Sequence, residues 1–173
     1  MISAMDALGN PSSVHAEGRA AKAIVEHARS QIAEAIGASG ADIVFTSSAT
    51  EAAALALQGR KLSGAAIEHD AVRAYARSDL AVSATGAVTV PEPQQSTLQL
   101  ANSETGVMQE LPQNVAVSDF TQAFGKVPVS FSWSGAEMAL ISAHKLGGPK
   151  GIGALIVKQG VEVPALIRGG GQE

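Results

Sequence analysis

The sequence predicts an α/β layer fold with a mostly parallel sheet. Two observations carry this. Short β-rich runs alternate with segments of helical periodicity along most of the chain. The polar residues capable of chemistry fall where those runs end, at the strand ends where open α/β sheets bind their ligands. The 173 residues suit one domain of ordinary size.

The elements follow in order. Over 14–36 the pattern is helical: Ile24, Ala28, Ile32 and Ile36 recur every four residues, Val25 and Ala35 widen the stripe, and Gly37 is a stop signal. DIVFTS (42–47) reads as a short strand and SATEAAALAL (48–57) as a helix, with Ser48 and Glu51 at the spacing of a capping box. GAAIE (64–68) predicts a buried strand and HDAVRAYAR (69–77) a short helix. Further strands are expected at 87–90, 97–101, 114–118, 138–142 and 153–158. The connection from Gln109 to Asp119 leaves little room for a helical crossover, so some segment there is abbreviated. There is no internal repeat, and VPEPQQS (90–96) is a loop too short to link domains. The chain stops within the glycine-rich RGGGQE, which suggests a cut at that point.

Composition excludes several classes. Apolar residues make up 46% and aromatics 3%, so Ala, Val, Leu and Ile must build the core. The net charge is −4 and Lys and Arg are scattered, which argues against a nucleic-acid partner. No run of 18 apolar residues suggests a membrane span, and the first residues carry no signal-peptide pattern. With no cysteine there is no disulfide framework and no thiolate metal site. No metal site is expected, and a cytoplasmic location is the default.

The stretch LISAHKLGGPKGIG (140–153) sets Lys145 just past the end of an expected buried strand, among glycines and a proline. Glycine lets another group approach the backbone closely. A lysine so placed, partly desolvated, suits a Schiff base with a carbonyl cofactor, for which pyridoxal phosphate is the obvious choice. That cofactor requires a carboxylate for its ring nitrogen, a phosphate cradle and a flat group against the ring. Asp119 ends an expected strand, with Gln122 three residues on. The turn before 49–57 offers the N–H groups of Ala49 and Thr50 at a helix N-terminus. His69 stands at another strand end. Taken singly, each has an ordinary alternative: a solvated lysine, a turn or cap aspartate, a plain capped helix, a surface or core histidine.

Seven segments occur in order: GNPSSVHAEGRAA (9–21), DIVFTSSATEA (42–52), IEHDAV (67–72), NSETGVMQ (102–109), DFTQAFGK (119–126), SAHKLGGPKGIGAL (142–155) and GGGQE (169–173). In these the chain resembles the cysteine desulfurases, in the class V aminotransferase group of fold-type I pyridoxal-phosphate enzymes. The resemblance implies a three-layer α/β/α arrangement, with 1–173 as an incomplete pyridoxal-phosphate-binding large domain and the C-terminal small domain absent. It implies that Lys145 bonds the cofactor and that Asp119 pairs with the ring N–H. Gln122 would bond the phenolate oxygen, and His69 would stack on the ring and move protons. Ala49, Thr50, Ser142 and His144 would hold the phosphate.

The family reaction takes sulfur from L-cysteine, leaving alanine and a persulfide on an enzyme cysteine. Partners implied are a second subunit of the full-length homodimer and a sulfur-acceptor protein, as in iron–sulfur cluster assembly. The chain departs from the family pattern in four places. Ser103 beside Asn102 replaces the second Asn of an "NNE" motif, which leaves either residue as the cofactor contact. SATEAAA stands for "GATEANN". The family's opening strand is missing before Met1. The downstream Gly-Thr motif, catalytic Cys and substrate-binding Arg are missing after Glu173. The alternatives are another class V enzyme, such as a selenocysteine lyase or transaminase, and a non-catalytic cofactor-binding remnant.

Overall fold

The computed structural model describes residues 2–169. Its helices are α1 (Ile2–Met5), α2 (Ala16–Ala35), α3 (Ala49–Leu57), α4 (Asp70–Arg73) and α5 (Phe131–Ser134). Its strands are β1 (Asp42–Thr46), β2 (Ser63–Ala65), β3 (Arg77–Leu80), β4 (Ser118–Asp119), β5 (Met138–Ser142) and β6 (Gly153–Val157). One sheet has the order β1-β6-β5-β4, and β2 pairs with β3 beside it. The segment 96–100 joins the two: Thr97 N–H donates to the Ser63 carbonyl at 2.8 Å and Leu98 N–H to that of Val117 at 3.1 Å. The pairing is therefore continuous from β3 to β1.

The pairs β2/β3 and β4/β5 are parallel, as expected, but β6 runs antiparallel to both β5 and β1. Loop length explains the reversal. Only residues 143–152 separate β5 from β6, too few for the crossover that a parallel pair needs.

The core is built on both faces of β5 and β6, in which every residue is buried. Met138, Leu140, Leu155 and Val157 face one side, packing with Ala52, Ala53, Ala56 and Leu57 of α3. Ala139, Ile141, Ala154 and Ile156 face the other, with Ile36 at the end of α2 and Phe131 of α5. This period-two alternation with helices over each face gives three layers. The alanine face of α3 lets that helix lie close against the sheet.

α2 stops as its sequence predicts. Gly37 has φ +61°, and Ala38 N–H and Gly37 N–H bond back to Ala33 and Glu34, which is a Schellman closure. Its start differs slightly: His15 caps the helix, with Nδ1 accepting from Gly18 N–H at 3.2 Å. The expected apolar stripe is covered most fully toward its end, with Val25 and Ala28 half-buried before it. Ile36 is fully buried and Ile32 packs on the core, whereas Ile24 is 42% exposed. Gly18 explains part of the GNPSSVH segment, because a Cβ there would lie 2.4 Å from the Ser13 carbonyl oxygen.

Other expected elements are shortened. The helix at 69–77 is the single turn α4, and Arg77 already begins β3. Residues 87–90 contribute only an isolated bridge, Val88 with Val82. Residues 97–101 bond to neighbours without forming a regular strand. No helix forms between Gln109 and Asp119, as the short connection required. The closing GGGQE segment lies outside the described residues apart from Gly169.

Candidate active site

The ends of β4 and β5, the turn before α3 and the turn after β2 meet at a cavity of about 330 Å³. Each wall has a local cause. Ser48 caps α3 by accepting from Glu51 N–H at 3.4 Å, and Glu51 Oε2 accepts from Ser47 N–H at 2.6 Å. Bonds from the Ser47 hydroxyl and N–H hold the Glu51 carboxyl below its ordinary pKa. The capped turn presents Ala49 and Thr50 to the cavity. Thr46 Oγ1 donates to the Ser48 carbonyl at 2.9 Å and braces the turn. Gly153 sets its position. A Cβ there would lie 2.7 Å from the Ser48 backbone and from the Ile141 carbonyl oxygen, so a side chain would push the turn away from the sheet.

From β5, Ser142 is buried and its Oγ lies 2.9 Å from His144 Nδ1. Lys145 follows in a 3-10 turn, Ala143–Lys145, exposed on the cavity wall. Asp119 closes β4, and its Oδ1 accepts from Thr121 N–H at 2.8 Å. This is a turn bond made at the wall of the cavity. Gln122 also lines the cavity. His69 caps α4 by accepting from Ala71 N–H at 3.1 Å, and its ring borders the same space.

Of the residues picked out in sequence, Asn102 alone stays off the cavity wall. Its Nδ2 donates to the Ile67 carbonyl at 2.9 Å. Its Oδ1 accepts from Glu104 N–H, Thr105 N–H and Thr105 Oγ1 at 2.8–3.0 Å. The amide is spent on its own loop and on the Ile67 carbonyl of the neighbouring turn, and Ser103 is the residue that reaches the cavity. The sequence reading missed Gln99, Glu104 and Thr121, which also line it. Gln99 had one signal, a polar residue amid the apolar run 97–101. Among the described residues, no three His, Asp or Glu side chains gather as metal ligands. None of their helices is long and apolar enough to cross a membrane.

The aminotransferase class-V family model matches residues 3–73 and 60–173. The chain belongs to that family. Among curated proteins, it is 37% identical to a cysteine desulfurase of Frankia sp. over 95% of this chain and 50% of that one. It is 35% identical to cysteine desulfurase IscS 1 of Archaeoglobus fulgidus, over 95% and 52%. Among solved structures, the NifS-like protein of Rickettsia africae matches with TM-score 0.87 and 31% identity, over 99% of this chain and 56% of that one. The chain thus spans about half the length of the curated relatives it matches.

The cavity suits pyridoxal phosphate. Helix α3 points its capped N-terminus at it, an anion-binding arrangement. An amine, a carboxylate and an imidazole line it together. Gln99 Nε2 and Thr121 Oγ1, on two of its lining residues, are buried without hydrogen-bond partners. Buried polar atoms are seldom left so, which marks this wall as unusually polar for an interior.

Proposed function

We propose that this chain is the cofactor-binding part of a pyridoxal-phosphate-dependent cysteine desulfurase, with L-cysteine as substrate. The convergence of Lys145, Asp119, His69 and the 48–50 turn on one cavity carries the reading. The names of the similar proteins support the choice of reaction.

When bound, the cofactor supplies an electron sink for the pair left by a bond breaking at the substrate α-carbon. The chain's own residues do the rest. Lys145 Nζ, on the cavity wall, would hold the cofactor's carbonyl carbon and could serve as a base. The Asp119 carboxylate would pair with the ring nitrogen and favour its protonated form, which would deepen the sink. Gln122 would hydrogen-bond the phenolate oxygen, and His69 would face the ring and move protons. Ala49 and Thr50 N–H groups, Ser142 and His144 hold the phosphate, and Ser103 takes the place of the family's second Asn.

Sulfur transfer needs a soft nucleophile that can keep the sulfur, a task for a thiolate. These 173 residues contain no cysteine. We assign the thiol to another part of the enzyme. The second subunit, a sulfur-acceptor protein and a cytoplasmic location belong to the same proposal.

Borohydride reduction in the presence of pyridoxal phosphate should fix the cofactor on Lys145, read by peptide mass. Fixation on Lys126 or Lys150 instead sinks the assignment. The 173-residue chain alone, given cofactor and L-cysteine without added thiol, should form no catalytic alanine and no protein-bound sulfane sulfur. Turnover with persulfide on this chain would refute the division of labour proposed here.

A further inference from the structure

Behind the cavity lies an acid that the chemistry above leaves unused. Glu68, between β2 and α4, is 4% exposed. Its Oε1 accepts from Gln99 N–H at 3.0 Å, and its Oε2 is buried without a hydrogen-bond partner. The cleft it lines also presents His69, Asp70, Arg73 and Glu104. Arg73, the cation among them, is engaged by Asp70 at 3.2 Å and by the Ala66 carbonyl at 3.3 Å. The remaining charge acting on Glu68 is Asp119, of the same sign.

Two neighbouring carboxyls in a poorly solvated place do not both ionise readily. Asp119 is only half-buried and accepts the Thr121 N–H. Glu68 is deeper and has one bond. Glu68 also stands at a structural junction. The Ile67 carbonyl just before it accepts from Asn102, its own Oε1 accepts from Gln99, and Leu100 N–H donates to the Asp119 carbonyl at 2.9 Å. His69 on one turn and Asp119 on β4 are thus held relative to each other through Glu68 and the segment 97–102.

We propose that Glu68 is a positioning residue of this cavity: a buried, neutral carboxylic acid that ties the His69 turn to the 97–102 segment. Burial pushes its carboxyl up to about 8; the Gln99 bond opposes this and the Asp119 charge adds to it. The proposal rests on the pyridoxal-phosphate reading of the cavity.

The test compares the intact protein carrying this chain with its Glu68→Gln and Glu68→Ala variants. At neutral pH the infrared spectrum should contain a protonated-carboxyl stretch that Glu68→Gln lacks. In pyridoxal-phosphate titrations read by absorbance, Glu68→Gln should bind within about threefold of the parent. Glu68→Ala, which strands the buried Gln99 N–H, should bind about tenfold more weakly. The pH dependence of stability is a third readout. The folded carboxyl keeps its proton from 4.5 up to about 8, whereas the unfolded one has released it. Stability therefore falls as pH rises through that window, and the fall should be shallower in Glu68→Gln. Absence of the Glu68 band, or a Gln variant that binds as poorly as the Ala variant, overturns the proposal. If the parent protein binds no pyridoxal phosphate, the cofactor reading fails, and the infrared band and the pH slope still decide the state of Glu68.

Discussion

Strands β5 and β6 and helix α2 each carry an apolar pattern, yet they end in different circumstances. Every residue of both strands is buried, while in the 20-residue helix only Gly18 is. A central strand is covered on two faces at once. A helix needs a neighbour along its whole stripe, and α2 is well covered only toward its end, near Ile32 and Ile36, with Arg29 reaching β1 and Val25 and Ala28 half-buried. The proposed chemistry is attached to the packed part. Ser142, His144 and Lys145 sit on or just beyond β5, and Asp119 ends the strand beside it. A reactive amine must be exposed yet held still, and a fully buried strand is a firm stem for it.

The comparison is broken most severely at the site itself. Asp119 belongs to β4, whereas Gln122 lies on the loop beyond it. In the complete enzyme, Asp119→Ala should cost on the order of a hundred- to a thousandfold in kcat/KM, the scale of losing one preorganised electrostatic partner. Gln122→Ala should cost about tenfold or less. Near-normal rates in Asp119→Ala would remove the electron-sink role from this carboxylate.

The difference in packing is sharpened by truncating one residue on each side. Leu140, 1% exposed in β5, should lose about 2–5 kcal/mol on replacement by Ala, from transfer and cavity terms together. Ile24→Ala, in the open part of α2, should stay within about 0.5 kcal/mol. Urea unfolding of the two variants measures this, and equal losses would show that α2 is as well covered as β5. The smallest effect is expected at the cap of α3. Ser48→Ala should cost about 1 kcal/mol in the same assay and weaken cofactor binding modestly, since it loosens the turn that presents Ala49 and Thr50.

Much of the site was legible because its residues stand at junctions. Lys145, Asp119 and His69 each follow an apolar run, and Ser48 with Glu51 marks a helix start, so local pattern placed them at strand or helix ends. The fold-family motifs then supplied a common purpose. Asn102 and Ser103 could not be separated that way. They are adjacent and both polar, and only the loop's own hydrogen bonding, which consumes the Asn102 amide, turns Ser103 to the cavity. Glu68 was taken as part of a buried strand run with no role of its own. Its single bond and its distant carboxylate neighbour come from segments remote in sequence.

By itself the sequence determined the short apolar runs, the α3 cap, the Gly37 stop and the alternation of strands with helices. All of these depend on residues within a few positions of one another. The tertiary structure decided the reversal of β6, the partial cover of α2, the placing of Ser48 against Gly153, and the burial of Glu68 with a single hydrogen bond. Each of these depends on which distant segment lies alongside, and burial, steric contact and like-charge repulsion act only once the chain has brought those segments together.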